Sequence, residues 1–347
     1  MTAIRNIAFV AAFLLGWLIW KGMKSTKHNH TTKSAERDPE KMDPYPPGQI
    51  KGKPKYCVTM GLKKLDKQNW LTIDGAYTEQ HELRDGLFRD QRRKVLTCLP
   101  SAAAACEEAM QEVVAFLCGQ YPTMFQKETG SGGEMIKNMK TGEAFAMGDS
   151  KQMEPLEIAA RLAMEDLSVL LPNDDGEYYM SATASLFPIG WAAEDRVGSS
   201  ISEMHAPVPL WHKQVGKAVN KFMGRLTADT PMERSSYFVQ VTAPEEPLSS
   251  ILFQPDGLAH ENLEPNVEQI VIRRERQTFS KLPKSGGILF TVKTSLTWVN
   301  ELPLEDLENL VTEVKSWPDE VARYKGRDHW GGRLLAFAEA KLQQCKR

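Results

Sequence analysis

An α+β fold, with helices packed on one face of a mainly antiparallel sheet, is what this sequence of 347 residues predicts. Two observations carry it. Apolar residues recur at helical spacing before the turn Pro172-Asn173-Asp174-Asp175-Gly176, and alternate after it. Three successive runs rich in Val, Ile, Phe and Thr then close the middle of the chain, and two helical runs end it. Composition agrees with a globular chain: 41% hydrophobic, 25% charged and a formal net charge of −2. That length buries a sizeable core without staples. The near-neutral charge argues against a nucleic-acid partner, because phosphate neutralisation needs concentrated Lys and Arg. The short cluster Arg89, Arg92, Arg93, Lys94 is interleaved with Asp85 and Asp90 and reads as a solvated helix face.

The elements follow in order. Ile7 to Trp20 is an uninterrupted apolar run, short of the ~20 residues usually needed to span a bilayer. A signal-peptide core competes with an anchor here, but Leu18-Ile19-Trp20-Lys21 is not a small-x-small cleavage site. Trp17 and Trp20 suit a membrane interface, with Arg5 and Lys21 able to snorkel. Residues 1–23 are thus expected to be a single-pass anchor. Lys21, Lys24 and Lys27 place the downstream domain on the cytosolic side. Residues 24–54, rich in Lys, His, Pro and Gly, read as a flexible linker in which His28 and His30 are solvated, and residues 55–347 as the folded domain. Five cysteines (Cys57, Cys98, Cys106, Cys118, Cys345) form no Cys-x-x-Cys pair, which leaves a zinc ribbon, an iron–sulfur cluster and a thioredoxin motif unsupported. They fit a reducing compartment.

Within the domain, Met60 to Leu65 and Asn69 to Asp74 form a buried opening segment. Helices are predicted over Tyr77 to Leu87, Ser101 to Leu117 and Glu154 to Leu171. Tyr121 to Met153, with its Gly130-Ser131-Gly132-Gly133 run, reads as a loop, since no Lys-Ser/Thr follows to cradle a phosphate. Tyr178 to Phe187 is a strand, Glu194 to Met204 and His212 to Leu226 are short helices, and Ser235 to Val241, Gln269 to Phe279 and Gly287 to Leu296 are strands. Leu304 to Tyr324 and His329 to Lys346 are closing helices. A strand, then helices, then three strands is similar in order to a PAS domain, with the PAS-like core at about residues 176–300.

Several short motifs occur together and in order: Met60-Gly61-Leu62-Lys63-Lys64-Leu65 with Asn69-Trp70-Leu71, the Phe187-Pro188-Ile189-Gly190-Trp191 turn, Met204-His205-Ala206-Pro207-Val208-Pro209, and Arg274-Glu275-Arg276-Gln277-Thr278-Phe279 before Leu282-Pro283. In this the chain resembles the haem-dependent oxidative N-demethylase family (alpha-subunit-like), from about Tyr56 to His329. The anchor-plus-domain layout looks like that family's fungal branch. The resemblance implies a PAS-like core binding haem b, and monooxygenase-type, dioxygen-dependent removal of a methyl group from a small secondary amine as formaldehyde. Two positions depart from the family pattern: Ile189 replaces a small polar residue, and Arg234-Ser235-Ser236-Tyr237 stands where Arg-x-Asn-Trp is usual.

With that resemblance, His205 is the candidate iron ligand, stiffened by Pro207 and Pro209; its bland alternative is a histidine capping the preceding helix. His212 is next in line, whereas His81, His260 and His329 read as surface or helix-end residues. In Arg273 to Phe279, alternation puts Arg274, Arg276 and Thr278 on one face and Arg273, Glu275, Gln277 and Phe279 on the other. Arg276, with Arg274 in reserve, is the candidate propionate partner, since a guanidinium bonds carboxylate bidentately. Glu275, with Gln277 beside it, is the catalytic candidate that orients a cationic amine, and an exposed salt-bridge ladder is the competing reading. Trp191 is expected on the pocket wall. The chain has neither a dinucleotide fingerprint nor cluster cysteines, so electrons are expected from a separate reductase. The competing functions are a non-catalytic PAS-like haem or gas sensor and a membrane-tethered scaffold.

Overall fold

Seven antiparallel strands make the sheet on which the protein is assembled. The computed structural model describes residues 42–130, 133–148, 152–243, 245–257 and 265–345. The chain enters through the two-residue edge strand β1 (Lys63–Lys64), then α1 (Tyr77–Asp90), α2 (Arg92–Val95), β2 (Leu96–Cys98) and the long α3 (Ala103–Gln120). β3 (Phe125–Gly130), β4 (Gly133–Asn138) and β5 (Ala144–Ala146) form a separate small sheet. α4 (Pro155–Leu162) leads into β6 (Asp166–Pro172) and β7 (Tyr178–Ala184). The connection from β7 carries the one-turn helices α5 (Ala193–Arg196), α6 (Ile201–Met204) and α7 (Trp211–Gln214), then α8 (Gly216–Arg225). β8 (Met232–Val241), α9 (Leu248–Leu252), β9 (Ile270–Lys281), β10 (Ile288–Trp298), α10 (Leu304–Ser316), α11 (Asp319–Tyr324) and α12 (Arg327–Gln344) complete it.

The sheet order is β1-β8-β9-β10-β6-β7-β2. Its five central strands, with helices between the second and third of them in the chain, have the PAS-like arrangement expected. Helices cover both faces rather than the one face expected, because the β7–β8 connection and the other helices pack on opposite sides. On one, Leu167, Val169 and Leu289 pack with Met110, Val113 and Leu156 of α3 and α4. Towards the other end of that face, Val239, Ile270 and Ile272 meet Leu307 and Leu310 of α10 and Trp330 of α12. The opposite face sets Leu170, Met180, Phe279 and Ile288 against Ile201, Trp211 and Met223 of α6 to α8.

Three expectations give way. The helix expected over Glu154 to Leu171 stops at Leu162, and Asp166–Pro172 is a strand. β6 sits mid-sheet with both faces covered, so it lacks the alternation that marks a half-buried strand and its Leu167, Val169 and Leu170 pass for a helical stripe. The expected loop at Tyr121 to Met153 contains β3 to β5, whose first hairpin pairs Gly130 with Gly133. Gln126 to Gly130 are all exposed, so no apolar rhythm announces them. The single helix expected over Leu304 to Tyr324 breaks before Pro318, which stands at the N-cap of α11.

The single-pass membrane localisation is corrected as well. Among the described residues no helix is long and apolar enough to cross a membrane. Residues 1–23, on which the anchor was placed, and the linker as far as residue 41 lie outside the described residues. The apolar run itself is shorter than a bilayer span requires. Neither the fungal-branch assignment nor a membrane partner has support among the described residues.

Candidate haem-binding cavity

Between the sheet and the α5–α8 connection lies a cavity of ≈ 780 Å³, within the range typical of cofactor pockets, about 300–1,000 Å³. Phe279 of β9 and Phe290 of β10, ring centroids 4.9 Å apart, are part of its sheet wall, and Phe222 of α8 meets Phe279 edge-on at 5.5 Å. This part of the wall is therefore aromatic, with a few polar groups aimed into the cavity.

His205 is one of these. A capping box, in which Ser200 and Glu203 each satisfy the other's backbone N–H, starts α6, and His205 follows directly as its C-cap. Its Nδ1 lies 2.8 Å from the carbonyl oxygen of Ile201. A carbonyl only accepts, so Nδ1 carries the proton and Nε2 keeps its lone pair. Nε2 has no hydrogen-bond partner among the described residues, and the residue lines the cavity. Burial pushes the imidazole pKa below its ordinary value, and the neighbouring Arg234 and Arg196 add to this, against the Ile201 bond. His205 is thus a neutral imidazole with a free ligating nitrogen.

Its ring plane is fixed by Trp211, stacked at 4.9 Å and 13°. Two local features bring that indole back over the imidazole. Leu210 takes a left-handed conformation, φ +64°, which costs a non-glycine residue roughly 1–3 kcal/mol. Gly216 leaves room for the ring, since a Cβ there would lie 2.8 Å from Trp211 Cζ3. His205 thus caps a helix through Nδ1 while lining the cavity.

The sheet wall resolves which face of β9 matters. Glu275, Gln277 and Phe279 line the cavity. Glu275 accepts from Gln277 Nε2 at 3.0 Å and stands 3.6 Å from the fully buried guanidinium of Arg273. Arg274 and Arg276, expected to meet propionates, lie on the opposite face and are already engaged. Arg276 pairs with Glu233 at 2.8 Å, donates to the carbonyls of Asn69 and Trp70, and covers the Tyr45 ring. Arg274 pairs with Asp306 at 2.7 Å and donates to Gly48. These arginines hold the opening segment to the back of the sheet, which also explains why the Asn69-Trp70-Leu71 and Arg276 motifs occur together.

The cations that do face the cavity come from elsewhere. Arg234 of β8 is opposite Gln277 in register. Its Nε is buried without a partner, and burial presses its pKa down against the pull of Glu275. Arg196, at the end of α5, lines the cavity and has no ion-pair partner among the described residues. The sequence signal for Arg234 was present, since alternation along Arg234-Ser235-Ser236-Tyr237 puts it on one face, but the register that sets it beside Gln277 was not. His329 is exposed in the first turn of α12, as expected, and borders the cavity, while His212 is exposed and packs edge-on to Trp211. His81 pairs with Glu143 at 2.7 Å away from the cavity, and His260 lies outside the described residues.

The Phe187-Pro188-Ile189-Gly190-Trp191 turn closes one end, with Trp191 on the wall as expected. It is gripped from both sides. Phe187 N donates to Asp166, and Phe187 O accepts from Arg273. Asp166 also accepts from Ser185 and Arg84, and the Arg84 guanidinium lies 4.6 Å from the Phe187 ring centroid. Gly190, at φ +72°, makes the reversal and donates to Gln254 O.

A neutral histidine with a free nitrogen, a cavity walled by aromatic rings and unpaired guanidinium groups beside it form a setting suited to a planar, iron-centred, dicarboxylate group. The profile of the family described as haem-dependent oxidative N-demethylase, alpha subunit-like, matches residues 61–335. This chain belongs to that family. Membership covers most of the folded domain, including every cavity-lining residue named above, and makes the chain haem-dependent oxidative N-demethylase-like. Among the described residues no group of three or more His, Cys, Asp or Glu side chains is arranged to hold a metal ion by itself. Haem would supply most of its iron's ligands itself, so a single protein ligand is compatible with that.

Proposed function

We propose that this cavity binds haem b through His205 and uses it to remove a methyl group from a secondary amine. The observation that carries the reading is the His205 geometry: Nδ1 committed to Ile201, Nε2 unpartnered, and the ring held under Trp211. Arg196 and Arg234 are the residues suited to the two propionates, because each is a cavity cation without a carboxylate in contact. Bound there, haem would supply the dioxygen activation that oxidising an N-methyl carbon requires.

The chain's own groups supply positioning. Glu275 offers a carboxylate to the positive nitrogen of the amine, and Gln277 holds one of its oxygens. The apolar walls around Phe279 and Phe290 keep water from the reacting carbon. Overall, the methyl carbon leaves as formaldehyde while dioxygen gives one oxygen atom to that product and one to water. Two electrons and two protons complete the balance, and a separate reductase delivers the electrons.

The test is an absorption spectrum of protein expressed with haem supply, before and after dithionite and carbon monoxide. A Soret band that moves with both treatments is expected, together with reductant-dependent formaldehyde release from secondary amines. His205→Ala should lose haem or change its axial spectrum. An unchanged spectrum in that variant removes the ligand assignment.

A further inference from the structure

The cavity holds more positive charge than haem would neutralise. Its wall carboxylates, Asp166 and Glu275, each already have a guanidinium near them: Arg84 at 3.0 Å and Arg273 at 3.6 Å. Arg196 and Arg234 match two propionates. That leaves a second group of cations where α11 turns into α12: Arg323, Lys325 and His329, all lining the same cavity. None has a side-chain hydrogen-bond or ion-pair partner among the described residues.

Lys325 is the informative member. Its Nζ sits 5.0 Å from the Trp317 ring centroid, 5.4 Å from Tyr237 and 5.7 Å from Phe238. Ring faces offset the charge of an ammonium, but they do not accept its three N–H donors. Burial works against the charged form here, with Glu313 the one carboxylate opposing it. An ammonium caged by rings, open to a cavity and lacking an acceptor is a site that expects an anion from outside the chain.

Strand geometry places this corner relative to Glu275. Ser236 is directly across from Glu275 in register, and Phe238 follows two residues along β8 on the same face. Lys325 Nζ stands beside Phe238, 5.7 Å from its ring centroid. We propose that the corner of Arg323, Lys325 and His329 is a carboxylate subsite, so the amine handled here carries a carboxylate at the end away from its nitrogen. The substrate class is then an ω-(methylamino)carboxylate: nitrogen to Glu275, carboxylate to Lys325 and Arg323. The inference rests on the demethylase reading for the fate of the methyl group, while the subsite is a property of the chain's own residues.

The experiment is a spectral titration of the haem-loaded protein with 4-(methylamino)butanoate, 6-(methylamino)hexanoate and N-methylbutylamine. At least one of the two carboxylates should bind tenfold or more tightly than N-methylbutylamine. Lys325→Met should collapse that ratio towards one, and Arg323→Gln, at an exposed position, should reduce it as well. Equal binding of all three compounds by the wild type overturns the proposal. So does a loss of haem affinity in Lys325→Met as large as that in Arg234→Met, since the corner would then serve a propionate. Absence of a Soret band in the wild type would instead defeat the haem reading itself.

Discussion

Asp166 lines the cavity, yet its surroundings make it a clamp rather than a catalytic group, and Asp166→Asn tests that assignment. Its carboxylate is 4% exposed and accepts from Arg84 Nη2, Ser185 Oγ and Phe187 N, each at 3.0 Å. An asparagine of the same shape keeps the Ser185 and Phe187 bonds by pointing its carbonyl at them, and then turns an NH2 towards Arg84. Removing one member of a buried ion pair costs about 3–5 kcal/mol. The lower end applies here, because Arg84 retains the Met164 and Glu165 carbonyls at 2.6 and 3.3 Å. A loss of about 3 kcal/mol is therefore expected in urea unfolding followed by tryptophan fluorescence. In Arg84→Met/Asp166→Asn the second change should cost at least about 1 kcal/mol less than it does alone. A loss under about 1 kcal/mol, or full additivity, would refute the clamp. Preserved stability combined with abolished turnover would point to catalysis instead.

Proton linkage at His205 gives a second expectation. Its folded pKa lies below the ordinary value, so above about pH 6.5 both folded and unfolded states are neutral there and stability is flat. As pH falls below that, the unfolded state takes up the proton first and stability declines; His205→Gln should flatten this slope in a pH series of unfolding midpoints. Gly216→Ala should act at a distance: the added methyl pushes on the Trp211 ring that orients His205. Its signature is a shifted haem spectrum with near-normal melting, and no spectral shift would dismiss Trp211 as a positioning residue. Arg276→Met should destabilise the fold by about 3 kcal/mol at most, because Glu233 keeps its Lys63 pair at 3.0 Å, while leaving haem stoichiometry intact. Arg234→Met should do the reverse, and a haem titration of the two variants separates them.

Much of this was legible from residue order. β7 to β10 and the helices between them follow the change of hydrophobic period after Gly176, because each strand has at least one rhythmic face. β6 hides that rhythm by being covered on both sides, and β3 to β5 hide it by being polar. His205 stood out because two prolines follow it directly, and the Arg273 to Phe279 alternation separated Glu275 and Gln277 from Arg274 and Arg276. Which of those two faces meets the cavity is not a local property. It depends on where α3, α4 and α10 to α12 pack: these cover the Arg276 side, and only the α11–α12 corner also borders the cavity.

By itself, then, the sequence determined the α+β class and the family, and singled out His205 as the candidate ligand, since all of these rest on near neighbours in the chain. Only the tertiary structure decided which cations face the cavity. Arg196, Arg234 and Lys325 come from a one-turn helix, a strand and an interhelical corner, and nothing in their spacing says they meet. Charge acts through space, over distances set by packing, and packing joins residues that the chain holds far apart.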